Sequence, residues 1–476
     1  MQMIKQYRLL ARLAALALGL LMGALPLMAQ ELPLSMSNAL RQARIPLRNV
    51  GVFVQAVDVN QPLLSHNALA AFSPASVMKL LTTDAALELL GPTYSWKTQA
   101  YIDGSLSNGV LNGDLSIKGS GDPKLVMENF WLFLRQIRAK GVREIHGNLV
   151  LDRSVFEETI YDPAQFDGDP QKPYNVGPDA LLLNYKTLTL HFMPDAAGNQ
   201  VNVSVDPPLA GYTITPPKLS QDSVCGDWKG KLQADVEAAA TVFNGAYPVA
   251  CGEQIWYLNP YRMSATQYFA AVFRQMWTEL GGSLSGQVVA ATVAPSARLL
   301  AEWQSPVVPE VIRDINKYSN NVMARQLLLT IGAQSGAGNV AGGAHAIAGW
   351  LAAKGIATDD VLIDNGAGLS RSERLAPTTL GQLLLAAYHS AVMPEFIASL
   401  PLVGYDGTMR HRLRGEPVAG QAHIKTGSLD EVRSVAGYVQ AASGKMYVVV
   451  CLINHANAAA GQQAQDALLQ WVFEKG

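Results

Sequence analysis

The stretch SPASVMKLL, Ser73–Leu81, puts a serine three residues ahead of a lysine, just after a proline, where a helical run begins. On a helix, positions i and i+3 share a face, so the Lys79 amine reaches the Ser76 hydroxyl. A serine is a weak nucleophile until a base removes its proton. A lysine serves as that base only where burial or nearby positive charge lowers its pKa. The positive end of the helix dipole adds to the activation of Ser76. Read alone, the four residues fit a capping serine and a surface lysine better, since about one S-x-x-K arises by chance in a chain this long. The rest of the chain decides between the two readings.

Two further stretches carry chemistry. Lys317-Tyr318-Ser319-Asn320-Asn321 lies between two helical runs. A second serine near Ser76 can relay its proton to a leaving group, and Asn321 can hydrogen-bond Lys79 or a substrate amide. A helix cap and turn is the ordinary alternative. The third stretch is HIKTGSLDEV, with Lys425-Thr426-Gly427-Ser428. Strand alternation puts Lys425 and Gly427 on one side and Thr426 on the other. The edge of such a strand can pair with an extended peptide. Gly427 admits a close backbone, and Lys425 with the hydroxyls of Thr426 and Ser428 suits a terminal carboxylate. The backbone N–H groups of Ser76 and Ser428 then form an oxyanion hole. The order S-x-x-K, S-x-N, K-T-G on helix, turn and strand selects an active-site-serine acyltransferase.

Composition bounds the setting. The chain has 476 residues, 49% hydrophobic and 16% charged, which fits a large, well-buried globular protein of about three domains. A net charge of −2 gives no basic surface for nucleic acid. Lys5, Arg8 and Arg12 precede an apolar run, Leu13–Leu25, then Pro26 and Leu27-Met28-Ala29. This reads as a cleaved secretory signal peptide over 1–29, with Gln30 the first mature residue. The run is short for a membrane span, which needs about 20 residues, and no later stretch is long and apolar enough. Export permits a disulfide. Cys225 and Cys251 lie 26 residues apart in a polar, Gly-rich region with no helical pattern between them, so they are the expected pair. Cys451, in MYVVVCLIN, reads as a buried thiol. No Cys-x-x-Cys or His-Glu-x-x-His occurs, so no metal site is expected.

Along the chain, Val50–Val59 reads as a strand leading into a hairpin, and Ser76–Leu90 as a helix stopped by Gly91-Pro92. Short strands with Gly and Asn turns fill about 94–152, with one helix near Met127–Lys140. Strand-like TLTLHF, VNVSV and YTITP follow between 186 and 251. Met263–Leu280 reads as a helix, Val311–Leu329 as helix–turn–helix, and Gly342–Lys354 as a helix. HIKTGS, VAGYVQA and MYVVVCLIN read as strands before a last helix near Gln462–Phe473. A strand–helix start and a helix–strand end thus enclose a block of different texture, as expected of one catalytic domain split by an insertion.

The separation of 243 positions from Ser76 to Ser319 is diagnostic. With GSGDPKL (Gly119–Leu125), DNGAGLSR (Asp364–Arg371), LPLVGYDGTM (Leu400–Met409) and the Cys225/Cys251 region, nearly the whole mature chain resembles the class C low-molecular-mass penicillin-binding proteins, the D-alanyl-D-alanine carboxypeptidase/endopeptidase family. The resemblance implies an α/β (α+β) fold: a penicillin-binding transpeptidase-like, serine β-lactamase-like domain split by two largely β insertions. The expected division is 30–93 with 296–476 for the catalytic domain, 94–185 with 256–295 for the first insertion, and 186–255 nested within it. It implies attack by Ser76 on the D-Ala–D-Ala bond of peptidoglycan stem peptides, with Lys79 as base, Ser319 as relay, and Lys425 and Ser428 holding the carboxylate. It also implies cleavage of D-Ala–diaminopimelate cross-links, acylation by β-lactams, a periplasmic location and no metal or organic cofactor. Arg371, with Asp169 and Tyr174 from the insertion, fits the family's side-chain subsite. Asp430 stands where relatives carry Gln, and S-N-N stands where many carry S-D-N. Peripheral membrane contact through the insertion or the C-terminal helix, and a homodimer, stay open. The competing readings are a serine β-lactamase and a weakly active protein that binds a cell-wall synthesis partner. A Ser-His-Asp hydrolase is disfavoured because no G-x-S-x-G occurs.

Overall fold

The computed structural model describes residues 31–476. The expected signal peptide lies outside the described residues. Among those described, no helix is long and apolar enough to cross a membrane.

The catalytic half is built on a five-stranded antiparallel sheet. From one edge the order is Ala422–Leu429, Val432–Gln440, Met446–Asn454, Val50–Ala56 and Leu64–His66. MYVVVCLIN is buried on both faces because helices cover both. Val448, Val450 and Leu452 pack with the helices Met78–Leu89, Asn321–Gln334 and Pro377–Tyr388. Val449, Cys451 and Ile453 point the other way, as period two requires, into a layer with the helices Leu34–Gln42 and Gln462–Lys475. Leu468, Leu469 and Val472 of the last helix are fully buried there against Met36 and Leu40. That face of the C-terminal helix is therefore core. The Leu34–Gln42 partner was not legible in the sequence, since only Met36 and Leu40, one turn apart, are buried in it.

The insertion forms its own sheet of seven strands between Ser95 and Val307. Arg298–Val307 pairs antiparallel with Ser95–Ser107, so this sheet runs past residue 295, where the expected boundary falls. The strand has the mixed burial of a two-sided sheet, which composition does not separate from the helix Val308–Tyr318 that follows. Nested within, Leu188–Asp195, Gln200–Asp206 and Gln254–Leu258 form a three-stranded antiparallel sheet. Phe192, Trp228, Phe243, Tyr247 and Trp256 cluster beside it. The expected Cys225–Cys251 disulfide is present, and Cys451 is free and buried. One expectation fails: a helix, Trp228–Leu232, lies between the two cysteines. It is only five residues long, capped by Asp227 and pinned by buried Trp228 and Leu232, too short to leave a periodic signal.

Candidate active site

The site lies where three elements of the catalytic half meet. Ser76 occupies a 3₁₀ turn, Ala75–Val77, that runs into the helix Met78–Leu89. Ala75 holds a left-handed φ of 47°, a strained value for a residue with a Cβ. Lys79 is fully buried. Its Nζ donates to Ser76 Oγ at 3.0 Å, to Asn321 Oδ1 at 2.6 Å and to the Ala367 carbonyl. Burial, then the positive charge of Lys425 and, less, of Arg325, hold the Lys79 pKa well below the ordinary lysine value, against an opposing pull from Glu373. This is the condition a lysine must meet to act as a base at neutral pH.

The second element is a tight corner. Ser319 ends the helix Val308–Tyr318 in a left-handed conformation, φ 59°. Asn320 caps the next helix by accepting from Met323 N at 3.0 Å, and Asn321 begins it. Lys425 Nζ donates to Ser319 Oγ at 2.9 Å. Burial lowers the Lys425 pKa to about 7.

The third element is the strand Ala422–Leu429, which is an edge of the sheet. Ala422 O accepts from Val403 N at 2.9 Å, and Ile424 N donates to Pro401 O at 2.8 Å. Alternation then turns the backbone groups of Thr426 and Ser428 to the same side, where no strand among the described residues covers them. Gly427 faces the nucleophile turn: a Cβ there would lie 2.9 Å from both Pro74 O and Ser76 N and would collide with Ser434 Oγ. Thr426 points away from Lys425, as expected, and its hydroxyl bonds Thr408 Oγ1 at 2.7 Å. The loop bearing Thr408 is held by an ion pair between buried Lys317 and Asp406 at 2.6 Å.

The structure thus brings Ser76, Lys79, Ser319, Asn321, Lys425 and Gly427 together, with Ser428 exposed at the rim. The residues expected for side-chain recognition lie in a neighbouring group. Arg371 pairs with Asp430 at 3.6 Å, and its guanidinium stacks 4.9 Å from the centre of the Phe166 ring. Tyr174 donates to Asp167 at 2.7 Å, and burial, then Asp167, then the charges of Asp169 and Asp430 raise the Tyr174 pKa. Asp169 pairs instead with Lys172 at 3.6 Å. Asp167, two residues away, is the carboxylate that fixes Tyr174 and Asn175.

Two buried charges escaped the sequence reading. Glu373 Oε1 accepts the backbone N–H groups of Asp364, Asn365 and Gly366 at 3.2, 3.0 and 2.8 Å. It thereby holds the loop whose next carbonyl, that of Ala367, meets Lys79. Arg325, one turn past Asn321, donates to the carbonyls of Tyr174 and Val176 at 3.1 and 2.8 Å, tying the insertion to the catalytic half. Neither position has a spacing that marks it; both sit in stretches whose charge reads as solvated. Among the described residues no group of three or more His, Cys, Asp or Glu could hold a metal.

The family model described as D-Ala-D-Ala carboxypeptidase 3 (S13) matches residues 32–475. The chain belongs to that family. It is 26% identical over 420 residues to a D-alanyl-D-alanine carboxypeptidase, DacB, of Haemophilus influenzae, covering 85% of each chain. It is 25% identical over 460 residues to a D-alanyl-D-alanine carboxypeptidase of Actinomadura sp. (strain R39), covering 88% of this chain and 80% of that one. Its fold matches the crystal structure of penicillin binding protein 4 from Haemophilus influenzae with a TM-score of 0.78 at 23% identity, over 93% of this chain and all of the other. This S13 chain therefore has the expected α/β penicillin-binding fold with its insertions.

Proposed function

We propose that this S13 protein is a serine D-Ala-D-Ala carboxypeptidase of the cell wall, working through an acyl-enzyme on Ser76. The observation that carries the reading is Lys79: buried, its pKa lowered, and bonded at once to Ser76 and Asn321 beside an open strand edge. The curated relatives of Haemophilus influenzae and Actinomadura carry the same activity in their names.

Neutral Lys79 takes the Ser76 proton as Oγ attacks the carbonyl of the penultimate D-Ala. The substrate lies antiparallel to Ala422–Leu429 as an added strand, and its terminal carboxylate meets Lys425 and Ser428. The N–H groups of Ser76 and Ser428 receive the oxyanion. Lys79 gives the Ser76 proton to Ser319 Oγ, held by Lys425, whose own hydroxyl proton goes to the leaving amine as the C–N bond breaks, so Lys79 is neutral again. Water then attacks the ester, Lys79 takes its proton and returns it to Ser76 Oγ as the C–O bond breaks, and the shortened peptide leaves. The same open edge accommodates a cross-linked D-Ala–diaminopimelate substrate, giving endopeptidase activity. The four-membered amide of a β-lactam acylates the same serine; the Haemophilus penicillin binding protein 4 has also been solved with a β-lactam. The leader-like segment 1–29 supports export and action in the periplasm.

The test is labelling of the mature protein with a fluorescent penicillin beside Ser76→Ala. A lasting stoichiometric adduct, lost in the variant, and release of D-Ala from a pentapeptide are expected. Labelling that survives Ser76→Ala sinks the nucleophile, and rapid penicillin turnover without an adduct makes the protein a β-lactamase.

A further inference from the structure

One sizeable cavity lies apart from the catalytic site. It measures about 680 Å³ and lies almost wholly in the insertion, between the 151–159 and 176–186 segments and the start of the helix Ala265–Glu279. That volume is within the roughly 300–1,000 Å³ typical of small-molecule sites.

Its lining leaves hydrogen-bonding groups of both kinds unused. Asn259 is 2% exposed. Its Nδ2 donates to Pro170 O at 2.9 Å, but its Oδ1 has no partner among the described residues. Arg153 places Nε on both oxygens of Asp179 at 2.9 and 3.1 Å and Nη1 on Thr266 at 3.3 Å, while Nη2 is buried without a partner among the described residues. Lys186 has one long contact, 3.4 Å to Pro260 O. The orphaned donor and acceptor are closed to water but belong to residues that line one cavity, so a ligand that supplies both kinds of group would meet them as side chains shift to admit it.

Charge and shape narrow its class. Arg153 and Lys186 face four lining carboxylates, Asp152, Glu157, Glu158 and Asp179. That balance repels phosphates and other polyanions. Tyr161, Tyr261 and Phe156 give the lining aromatic surface. Aromatic faces with mixed donors and acceptors suit pyranose rings bearing hydroxyl and acetamide groups. The cavity also shares a wall with the catalytic half. Val176 lines it and accepts from Arg325, whose guanidinium lies 5.5 Å from the Tyr161 ring centre.

We infer that this cavity binds an N-acetylated sugar of the wall glycan strand, so that the insertion grips the polymer while its peptide enters the catalytic site. The inference rests on the cell-wall reading above. It makes the enzyme prefer polymer-attached over free peptide.

The experiment uses the mature protein, with chitotetraose as the probe in titration calorimetry. Rates are compared on intact wall sacculi and on a soluble pentapeptide. Saturable chitotetraose binding is expected, weakened about tenfold or more in Asn259→Leu and in Tyr261→Ala. Both variants should keep penicillin labelling and pentapeptide cleavage, and lose about tenfold in kcat/KM on sacculi. No heat of binding to the wild type overturns the inference whatever the variants do, as do equal sacculus rates in variants that still label. Loss of pentapeptide cleavage in the wild type would instead strike the carboxypeptidase reading.

Discussion

Glu373→Gln tests how the site sets its base. One oxygen of Glu373 accepts three backbone N–H groups of the 364–366 loop, and the next carbonyl, that of Ala367, accepts from Lys79. Two hydrogen bonds and the intervening peptide units join carboxylate to amine, a path of about 10 Å. At an effective dielectric of about 20, a unit charge at that distance favours the ammonium by roughly 1.7 kcal/mol, a little over one pKa unit. Gln keeps an acceptor oxygen for the loop but removes the charge. The sign follows: without the carboxylate the ammonium is less favoured, the Lys79 pKa falls further, and more neutral base is present at acid pH.

The acid limb of the acylation rate should therefore move down by up to about one pH unit. Glu373 is itself pushed up by burial, so the difference between the two proteins shrinks at the acid end, where wild-type Glu373 takes a proton. Weaker loop hydrogen bonds should also lower stability by about 1–2 kcal/mol. The assay is pseudo-first-order acylation by a fluorescent penicillin from pH 5 to 9, with Glu373→Asp as the charge-keeping control. A limb that stays in place while stability drops would reduce Glu373 to loop glue. A limb that moves up would refute the electrostatic account.

Three further outcomes follow. Lys425, at about 7 in the empty site, must be protonated to hold a carboxylate, so kcat/KM should fall as pH rises through about 7, whereas the limb in kcat moves higher because bound carboxylate favours the ammonium; coincident limbs in a full pH–rate profile would remove Lys425 from carboxylate binding. Gly427→Ala puts a Cβ against Ser434 Oγ and 2.9 Å from Ser76 N, so the strand must back away from the nucleophile; penicillin acylation should slow about 100-fold with little change in thermal unfolding. Cys225→Ser with Cys251→Ser opens a loop of 26-residue separation, worth about 3–4 kcal/mol to the nested unit; limited proteolysis should cut within 186–255 sooner, while acylation by penicillin stays at the wild-type rate.

What could be read from the sequence is what local geometry carries. An i, i+3 spacing places Lys79 on Ser76, and strand alternation separates Lys425 from Thr426, so both survive translation into three dimensions. Arg325 and Glu373 were not legible for the opposite reason: their burial is decided by chain that returns from far away. Asp169 and Tyr174 were expected together in the side-chain subsite; the backbone of 167–175 folds so that Asp167 meets the phenol and Asp169 pairs with Lys172. The strand Arg298–Val307 was hidden similarly, since its pairing with Ser95–Ser107 is a long-range fact.

The charges hidden from the sequence explain those that were visible. Around Ser76 the fold assembles three cations, Lys79, Lys425 and Arg325, and Glu373 is the carboxylate that acts on Lys79 against them. Burying unmatched positive charge costs energy, and the site responds by lowering the pKa of both lysines. A substrate carboxylate arriving at Lys425 supplies the missing negative charge. It firms up the ammonium that holds it, and that ammonium keeps pressing on Lys79, which stays neutral and ready to take the Ser76 proton. On this account a peptide amidated at its C-terminus should lose more than binding. It leaves Lys425 partly deprotonated at pH 7.5, so kcat should fall together with a rise in KM. A change in KM alone would show that the carboxylate is only an anchor.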